Sequence, residues 1–229
     1  MLIKDFWLSK VSNINCFNIK SPHLSKDKLN IKKNLLITCK TKEINKVKNV
    51  NKKNNLEFKF IGKNIIFIRK IDSKKIKLEN DFNLSISKEK DKQKLVDICV
   101  KNMKSSRFDL DKRIPKVVVK KIRLSWISSY FLNSKDKRIY SATHKNKIVG
   151  LLCVLKKKRN IFIDLISISK NYSGKGFGSR IIDNLQIKFP KYKSIIVGTY
   201  NKNKKAILFY KKYGFKKIKT YNVFHYYEK

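Results

Sequence analysis

Three of the chain's seven glycines stand at alternate positions, Gly174, Gly176 and Gly178, just after the apolar, β-branched run 164–169. Apolar residues then recur at helical spacing, at Ile181, Ile182, Leu185 and Phe189. The pattern predicts strand, loop, helix. The first amides of a helix have no intrahelical partner and sit at the positive end of its dipole, so they suit an anion such as a pyrophosphate. Glycine lets backbone come close to that anion in conformations a Cβ would forbid. Neither the Lys-Ser/Thr of a phosphate loop nor the distant carboxylate of a dinucleotide fold accompanies the triplet. By itself it fits a tight turn as well as an anion site.

Further on, the stretch 193–200 reads as a strand and 203–215 as a helix, with Asn203 at its N-cap and Gly214 at C′. Gly176-x-Gly178 followed by Asn203-x-x-Ala206-x-x-x-Tyr210-x-x-x-Gly214-Phe215 resembles the Gcn5-related N-acetyltransferase (GNAT) family. That resemblance implies acetyl-CoA as cofactor. Its pyrophosphate would rest on Ser173, Gly174, Lys175, Gly176, Phe177, Gly178 and Ser179. Where the family carries Gln or Arg this chain has Ser173, and Lys175 and Arg180 are the residues that could restore the charge. Ile166, Ser167 and Ile168 would flank the pantetheine arm, with the backbone of Ile166 and Ile168 pairing with it. Asn203, Ala206 and Tyr210 complete the implied cofactor site, Asn203 capping its helix through oxygen with its NH2 free for a ligand.

Acyl transfer from a thioester to an amine needs a neutral amine, a polarised carbonyl and a proton for the leaving thiolate. By the same likeness Tyr210 is the proton donor, since a phenol of pKa near 10 stays protonated at neutral pH. Two side chains compete as general base: Asp164, on the strand beside the acetyl position, and His225. A salt-bridged Asp164 with water as the base is equally open. Ser106-Arg107-Phe108-x-x-Asp111-x-x-Ile114-Pro115, before a helix bearing Trp126, together with His225-Tyr226-Tyr227, narrows the likeness. It is similar to nucleotide-sugar N-acetyltransferases of the dTDP-4-amino-4,6-dideoxygalactose (dTDP-fucosamine) type. A nucleotide-linked amino sugar is then the implied acceptor, contacted by Arg107, Phe108, Asp111 and His225. An Arg–Asp pair that only fixes a loop, and a half-buried strand histidine, are the plain alternatives.

A sheet must hold these groups. From residue 83 onward the pattern predicts a strand at 83–86, then a helix at 92–103 with Leu95, Ile98, Cys99 and Met103 on one face. A second helix places Val119, Ile122, Trp126 and Tyr130 in register. Strands 139–143 and 148–155 form a hairpin around 144–147, followed by strand 160–168 and a last strand at 216–227. His144, in the turn, is expected to face solvent. Before residue 83, the runs 35–39, 56–61 and 65–71 between Lys/Asn-rich turns read as strands rather than helices, and Pro22 and His23 fall in a polar loop. The expected fold class is α/β: a mixed, mostly antiparallel central sheet flanked by helices, the GNAT fold. Residues 1–82 form a smaller N-terminal α/β region and 83–229 the acetyltransferase domain.

Lys and Arg number 57 against 16 Asp and Glu, a formal charge of +41 that could serve a nucleic-acid or membrane-surface partner. The lysines are spread through every segment, however, which points to overall composition rather than a dedicated patch. Polyanionic small molecules would still gain. No aromatic-basic nucleic-acid module is visible, so a nucleic-acid binder on a GNAT scaffold is a lesser alternative. Another keeps the chemistry and changes the acceptor to a protein N-terminus, peptide or small amine. Cys16, Cys39, Cys99 and Cys153 lack Cys-x-x-Cys or His spacing, so neither metal nor disulfide is expected. With no secretory h-region and no span-length apolar run, the expectation is a cytoplasmic protein without stable membrane insertion. A homodimer is left open.

Overall fold

Val149 to Val154 is an unbroken buried run, which a strand tolerates only where both faces of its sheet are covered. A computed structural model, which describes residues 2–19, 35–54, 57–73, 76, 78, 80–132 and 134–228, shows how. The elements are β1 (Leu2–Lys4), α1 (Phe6–Ser12), β2 (Asn15–Ile19), β3 (Leu35–Thr41), α2 (Ile44–Asn54), β4 (Lys59–Lys70) and β5 (Phe82–Ile86). There follow α3 (Lys92–Asn102), α4 (Arg107–Leu110), α5 (Lys116–Ser128), β6 (Lys137–His144), β7 (Lys147–Lys157), β8 (Asn160–Ile168), α6 (Phe177–Lys188), β9 (Ser194–Tyr200), α7 (Lys204–Lys212) and β10 (Lys216–Glu228). All ten strands join one sheet in the order β1-β2-β3-β10-β4-β9-β8-β7-β6-β5. Among the described residues the β2/β3 and β8/β9 pairs are parallel and the others antiparallel. This is the mixed, mostly antiparallel α/β sheet expected from the residues.

Side-chain alternation splits β7 between two cores. Leu152 and Val154 pack with Ile181, Ile182 and Leu185 of α6 and Tyr210 of α7, whereas Leu151 and Cys153 pack with Leu95 and Cys99 of α3 and Ile127 of α5. Burying a side chain of this size is worth about 1.5–3 kcal/mol, so both helical layers are bound firmly to the central strands. The β6–β7 hairpin turns through Lys145 and Asn146, with φ of 47° and 61°. Left-handed residues at both central positions match the twist of the strands they join.

Beside its strands the N-terminal half contains two helices whose positions the residue pattern did not mark, α1 and α2. Asp5 caps α1 by accepting from Leu8 N at 2.9 Å. In α2, Ile44, Val47 and Val50 recur every third residue, and Val47 is buried beside Leu35 and Phe224. The lysines and asparagines between them made this helix look like a turn. The runs expected at 56–61 and 65–71 merge into the single strand β4, bulged where Val223 pairs with Gly62 and Phe224 with Phe60; Leu56 lies outside the described residues, as do Pro22 and His23. His144 is also corrected. It closes β6 with its ring 5.0 Å from Phe177 and its Nδ1 3.2 Å from Asp81, rather than facing solvent.

Strands from the two halves interleave, for β10 lies between β3 and β4, and β4 lies against β9. No helix among the described residues is long and apolar enough to cross a membrane.

Candidate active site

The sheet opens at one place. Parallel strands β8 and β9 pair from Asn160↔Ser194 to Ile163↔Val197 and then part, β8 continuing along β7 to Ile168 and β9 along β4 to Tyr200. The cause is local: Ile163 pairs with Val154 and Leu165 with Cys153, so Asp164 is an extra residue that bends its strand. The resulting wedge is a cavity of about 790 Å³, within the usual range for a ligand site. Asp164 to Ile168 form one wall and Val197 to Thr199 the other. Gly150 permits this wall, since a Cβ there would stand 2.6 Å from the carbonyl oxygen of Ser167.

Two helices begin at the mouth of the wedge. Gly174 and Gly176 have φ of 81° and 80°, a left-handed region that favours glycine, and a Cβ on either would project into open space. Among the described residues, the turn's backbone bonding resumes with Ser179 N and Arg180 N, which both donate to Gly176 O. The amides from Gly174 to Gly178 make no backbone hydrogen bond there. Gly178 lies against the Phe209 ring, 3.1 Å from where its Cβ would be, so the first turn of α6 packs on the second half of α7. Asn203 caps α7, its Oδ1 accepting from Ala206 N at 3.3 Å. Both helix starts line the cavity, together with the cationic Lys170, Lys205 and Lys212. Such a mouth attracts a polyanion.

The predicted cofactor residues fall here with two qualifications. Ile166, Ser167 and Ile168 line the strand wall, Ser173, Gly174, Gly176, Phe177, Gly178 and Ser179 the loop, and Asn203, Ala206 and Tyr210 the α7 side. Lys175 does not line the cavity; its ammonium sits 6.0 Å over the Tyr172 ring. The Ser179 amide is committed to Gly176 O, so the turn's free amides lie before it. Asn102, which the sequence did not single out, ties α3 to the wall by donating to Ser167 Oγ at 2.9 Å and to Ile168 O at 2.8 Å. The Ile168 carbonyl is thereby engaged.

Tyr210 reaches the cavity from a bed of aromatic rings, 5.2 Å from Phe209, 5.3 Å from Phe215 and 5.9 Å from Phe67. Burial pushes its phenol well above the usual value, which keeps the proton in place at neutral pH. Asp164 is open to the cavity yet walled by protein, and this burial raises its carboxyl despite a hydrogen bond from Tyr130 and the nearby Lys137 charge.

The other predicted residues gather elsewhere. His225 is fully enclosed, donates from Nδ1 to Asp111 Oδ2 at 2.9 Å, and faces Phe108 at 6.3 Å between ring centroids. Asp111 also accepts from Arg113 Nε and Nη2, both at 2.9 Å. The expected Arg–Asp pair therefore forms with Arg113, and Arg107 instead stacks on Phe108 at 4.6 Å. Burial lowers His225 to about 4, so the ring is neutral at pH 7. Desolvation alone would raise Asp111, but the bonds from His225 and Arg113 outweigh it and hold the carboxyl well below its usual range. Enclosed and absent from the cavity wall, His225 cannot take a proton from a ligand in the wedge; its expected role as base is corrected to one of holding α4 and the following loop on β10.

A strand wedge, an open glycine turn and a capped helix meet at one cavity of a mixed, mostly antiparallel sheet, the architecture of an acetyltransferase fold. Residues 111–226 match the family described as acetyltransferase (GNAT) domain, and the chain belongs to that family. The spore coat polysaccharide biosynthesis protein SpsD of Bacillus subtilis (strain 168) is 23% identical over 146 residues, 63% of this chain and 50% of that protein. The chain thus spans about half the length of this curated relative. A functionally unknown conserved protein from Staphylococcus epidermidis ATCC 12228 superposes with a TM-score of 0.69 at 14% identity, covering 94% of this chain and 85% of that one. A GCN5-related N-acetyltransferase from Sphaerobacter thermophilus gives 0.54 at 9% identity over 84% and 60%. At such identities the structures establish the shared fold.

Proposed function

We propose that the protein is an acetyl-CoA-dependent N-acetyltransferase whose acceptor is the amino group of a nucleotide-linked amino-deoxy sugar. The observation that carries the donor half is the wedge itself, with the free amides of the glycine turn and a second helix start at its mouth. The residues fit the cofactor, because Gly174 and Gly176 leave open the space a side chain would fill. Acetyl-CoA would supply an acetyl group activated as a thioester. Amides 174–178 with Lys170, Lys205 and Lys212 would hold its phosphates, and the wall 166–168 its arm. Tyr210 keeps a proton at Oη on the α7 side, and Asp164 offers a carboxylate on the strand side.

The acceptor half rests on charge. Arg107 on α4 and Lys40 on β3 make no ion pair with a carboxylate among the described residues. Lys40 shares a sheet face with His225, since it pairs with Val223 and Thr38 pairs with His225. Although Lys40 is exposed as a residue, burial of its amine, and then the charge of Arg107, lower it to about 8. Two uncompensated cations held together favour an anionic acceptor such as a sugar diphosphate. The polysaccharide role named for SpsD agrees with that class.

The test combines calorimetry with acetyl-CoA and a thiol-release assay over dTDP- and UDP-linked amino sugars, peptides and simple amines. Turnover with a nucleotide amino sugar, inhibited by the free nucleotide, supports the reading. Turnover confined to peptides moves the acceptor to the alternative class, and failure to bind acetyl-CoA removes the enzymatic reading altogether.

A further inference from the structure

Tyr130 lies just past the end of α5, 34 residues before Asp164, and belongs to no motif. Its hydroxyl nevertheless donates to Asp164 Oδ2. The ring is fixed on several sides: Trp126 meets it edge-on at 5.2 Å, and the Lys137 ammonium stands 4.2 Å from its centroid. Lys137 is itself anchored, donating to Ser129 Oγ at 2.6 Å, and Ser129 donates onward to Trp126 O at 2.6 Å. Only Tyr130 is fully buried, with Trp126, Ser129 and Lys137 half-buried and Asp164 exposed to the cavity, so the network runs from the interior to the cavity wall and orients its members. It ends on the one residue of β8 that the bulge leaves without a cross-strand partner, at the wall of the cavity.

We propose that Tyr130 is the positioning residue of the acceptor side, holding the Asp164 carboxylate by Oδ2 so that Oδ1 takes the proton of the acceptor's ammonium group. The proton moves from nitrogen to Oδ1 and leaves through the cavity to solvent, which frees the amine's electron pair. This deepens the acetyltransferase reading and rests on it. Tyr130 is not itself the base, because burial first, and then the Asp164 charge and hydrogen bond, drive its phenol far above any working pH.

The groups facing Asp164 come from four elements. They are Tyr130 after α5, Lys137 on β6 and Cys153 on β7, with Cys99 of α3 behind Cys153. Both thiols are raised by burial and stay neutral, so Tyr130 and Lys137 are the groups that favour the ionised carboxylate. Removing either must raise the Asp164 midpoint. An activity that needs the ionised form then loses its rate at a higher pH than in the parent protein.

The experiment follows the Asp164 carboxyl carbon by NMR across pH in the parent, Tyr130→Phe and Lys137→Met proteins, with Asp164→Asn assigning the signal. In parallel, kcat/KM is recorded against pH and acetyl-CoA affinity by calorimetry. The expected result is a midpoint moved upward in both variants and an acid limb of kcat/KM moved with it. At neutral pH the Tyr130→Phe loss should be about tenfold, with acetyl-CoA affinity retained. A midpoint that stays put in both variants, or one that moves while the acid limb does not, overturns the proposal. Absence of acetyl-CoA binding in the parent protein would instead overturn the reading beneath it, and the carboxyl titration keeps the two failures apart.

Discussion

Tyr210 and His225 show what a residue's surroundings decide. Tyr210 sits in an aromatic bed and lines the cavity, so Tyr210→Phe preserves the packing and deletes one proton. Turnover should fall about a hundredfold or more, the usual worth of a positioned proton donor, with acetyl-CoA affinity within about twofold; equal turnover with chemistry rate-limiting would remove the phenol from the mechanism. His225 predicts a pH effect on stability. Its folded pKa of about 4 lies below the unfolded value of about 6.5, so the unfolded chain binds the proton first as pH falls. Stability is whole above about pH 6.5 and declines toward pH 4, by on the order of 3 kcal/mol from this group. Asp111 is depressed and loses its contribution only below the ordinary carboxylate range. His225→Phe should be weaker at pH 7.5 in urea yet flatter between pH 7.5 and 4.5, and parallel slopes would refute the assignment. Sequence placed Tyr210 through its spacing from Asn203 and Gly214. It could not place His225, because alternation along β10 tells which face a residue takes and says nothing of what covers that face.

Elements carry the site through where they stop pairing. The parting of β8 from β9 is the event on which the cavity depends, and Gly150 on β7 is its tightest constraint. A methyl group on Gly150 would meet the Ser167 carbonyl at 2.6 Å and the Ile168 side chain at 2.7 Å, and backbone cannot swing aside as a flexible side chain can. Gly150→Ala should cost about 1–3 kcal/mol by overpacking and weaken acetyl-CoA binding, read by thermal melting and calorimetry; a variant that melts normally and binds normally would show that the wall is softer than its geometry. The opposite change is available at the hairpin. Lys145 and Asn146 both hold positive φ, and replacing them with Asn-Gly should stabilise by about 1 kcal/mol without altering turnover. Strands, caps and this turn were legible because their signals are local and periodic. The bulge at Asp164 was not, for it is a relation between two strands, and neither was α2, whose apolar stripe is three residues thick among lysines and asparagines.

At the scale of the whole molecule, charge both hides and assists the site. Lys170, Lys205 and Lys212 on the cavity lining are indistinguishable by type from the rest of the 57 basic residues, and only their place on that lining marks them. Lys205 and Lys212 lie seven residues apart, on one face of α7. The net charge of +41 adds a long-range field that draws an anion in without specifying where it lands. These two contributions separate by salt, because the screening length is about 10 Å at 0.1 M and about 3 Å at 1 M. Raising NaCl from about 0.05 M to about 0.5 M should slow acetyl-CoA association severalfold in stopped-flow and leave dissociation within about twofold. Lys205→Ala with Lys212→Ala should act on dissociation, and that effect should persist at the higher salt because the contacts lie within the screening length. If salt and the double substitution change the same rate constant in the same proportion, the lysines on the lining are only part of the general field, and the phosphates rest on the amides of the glycine turn alone.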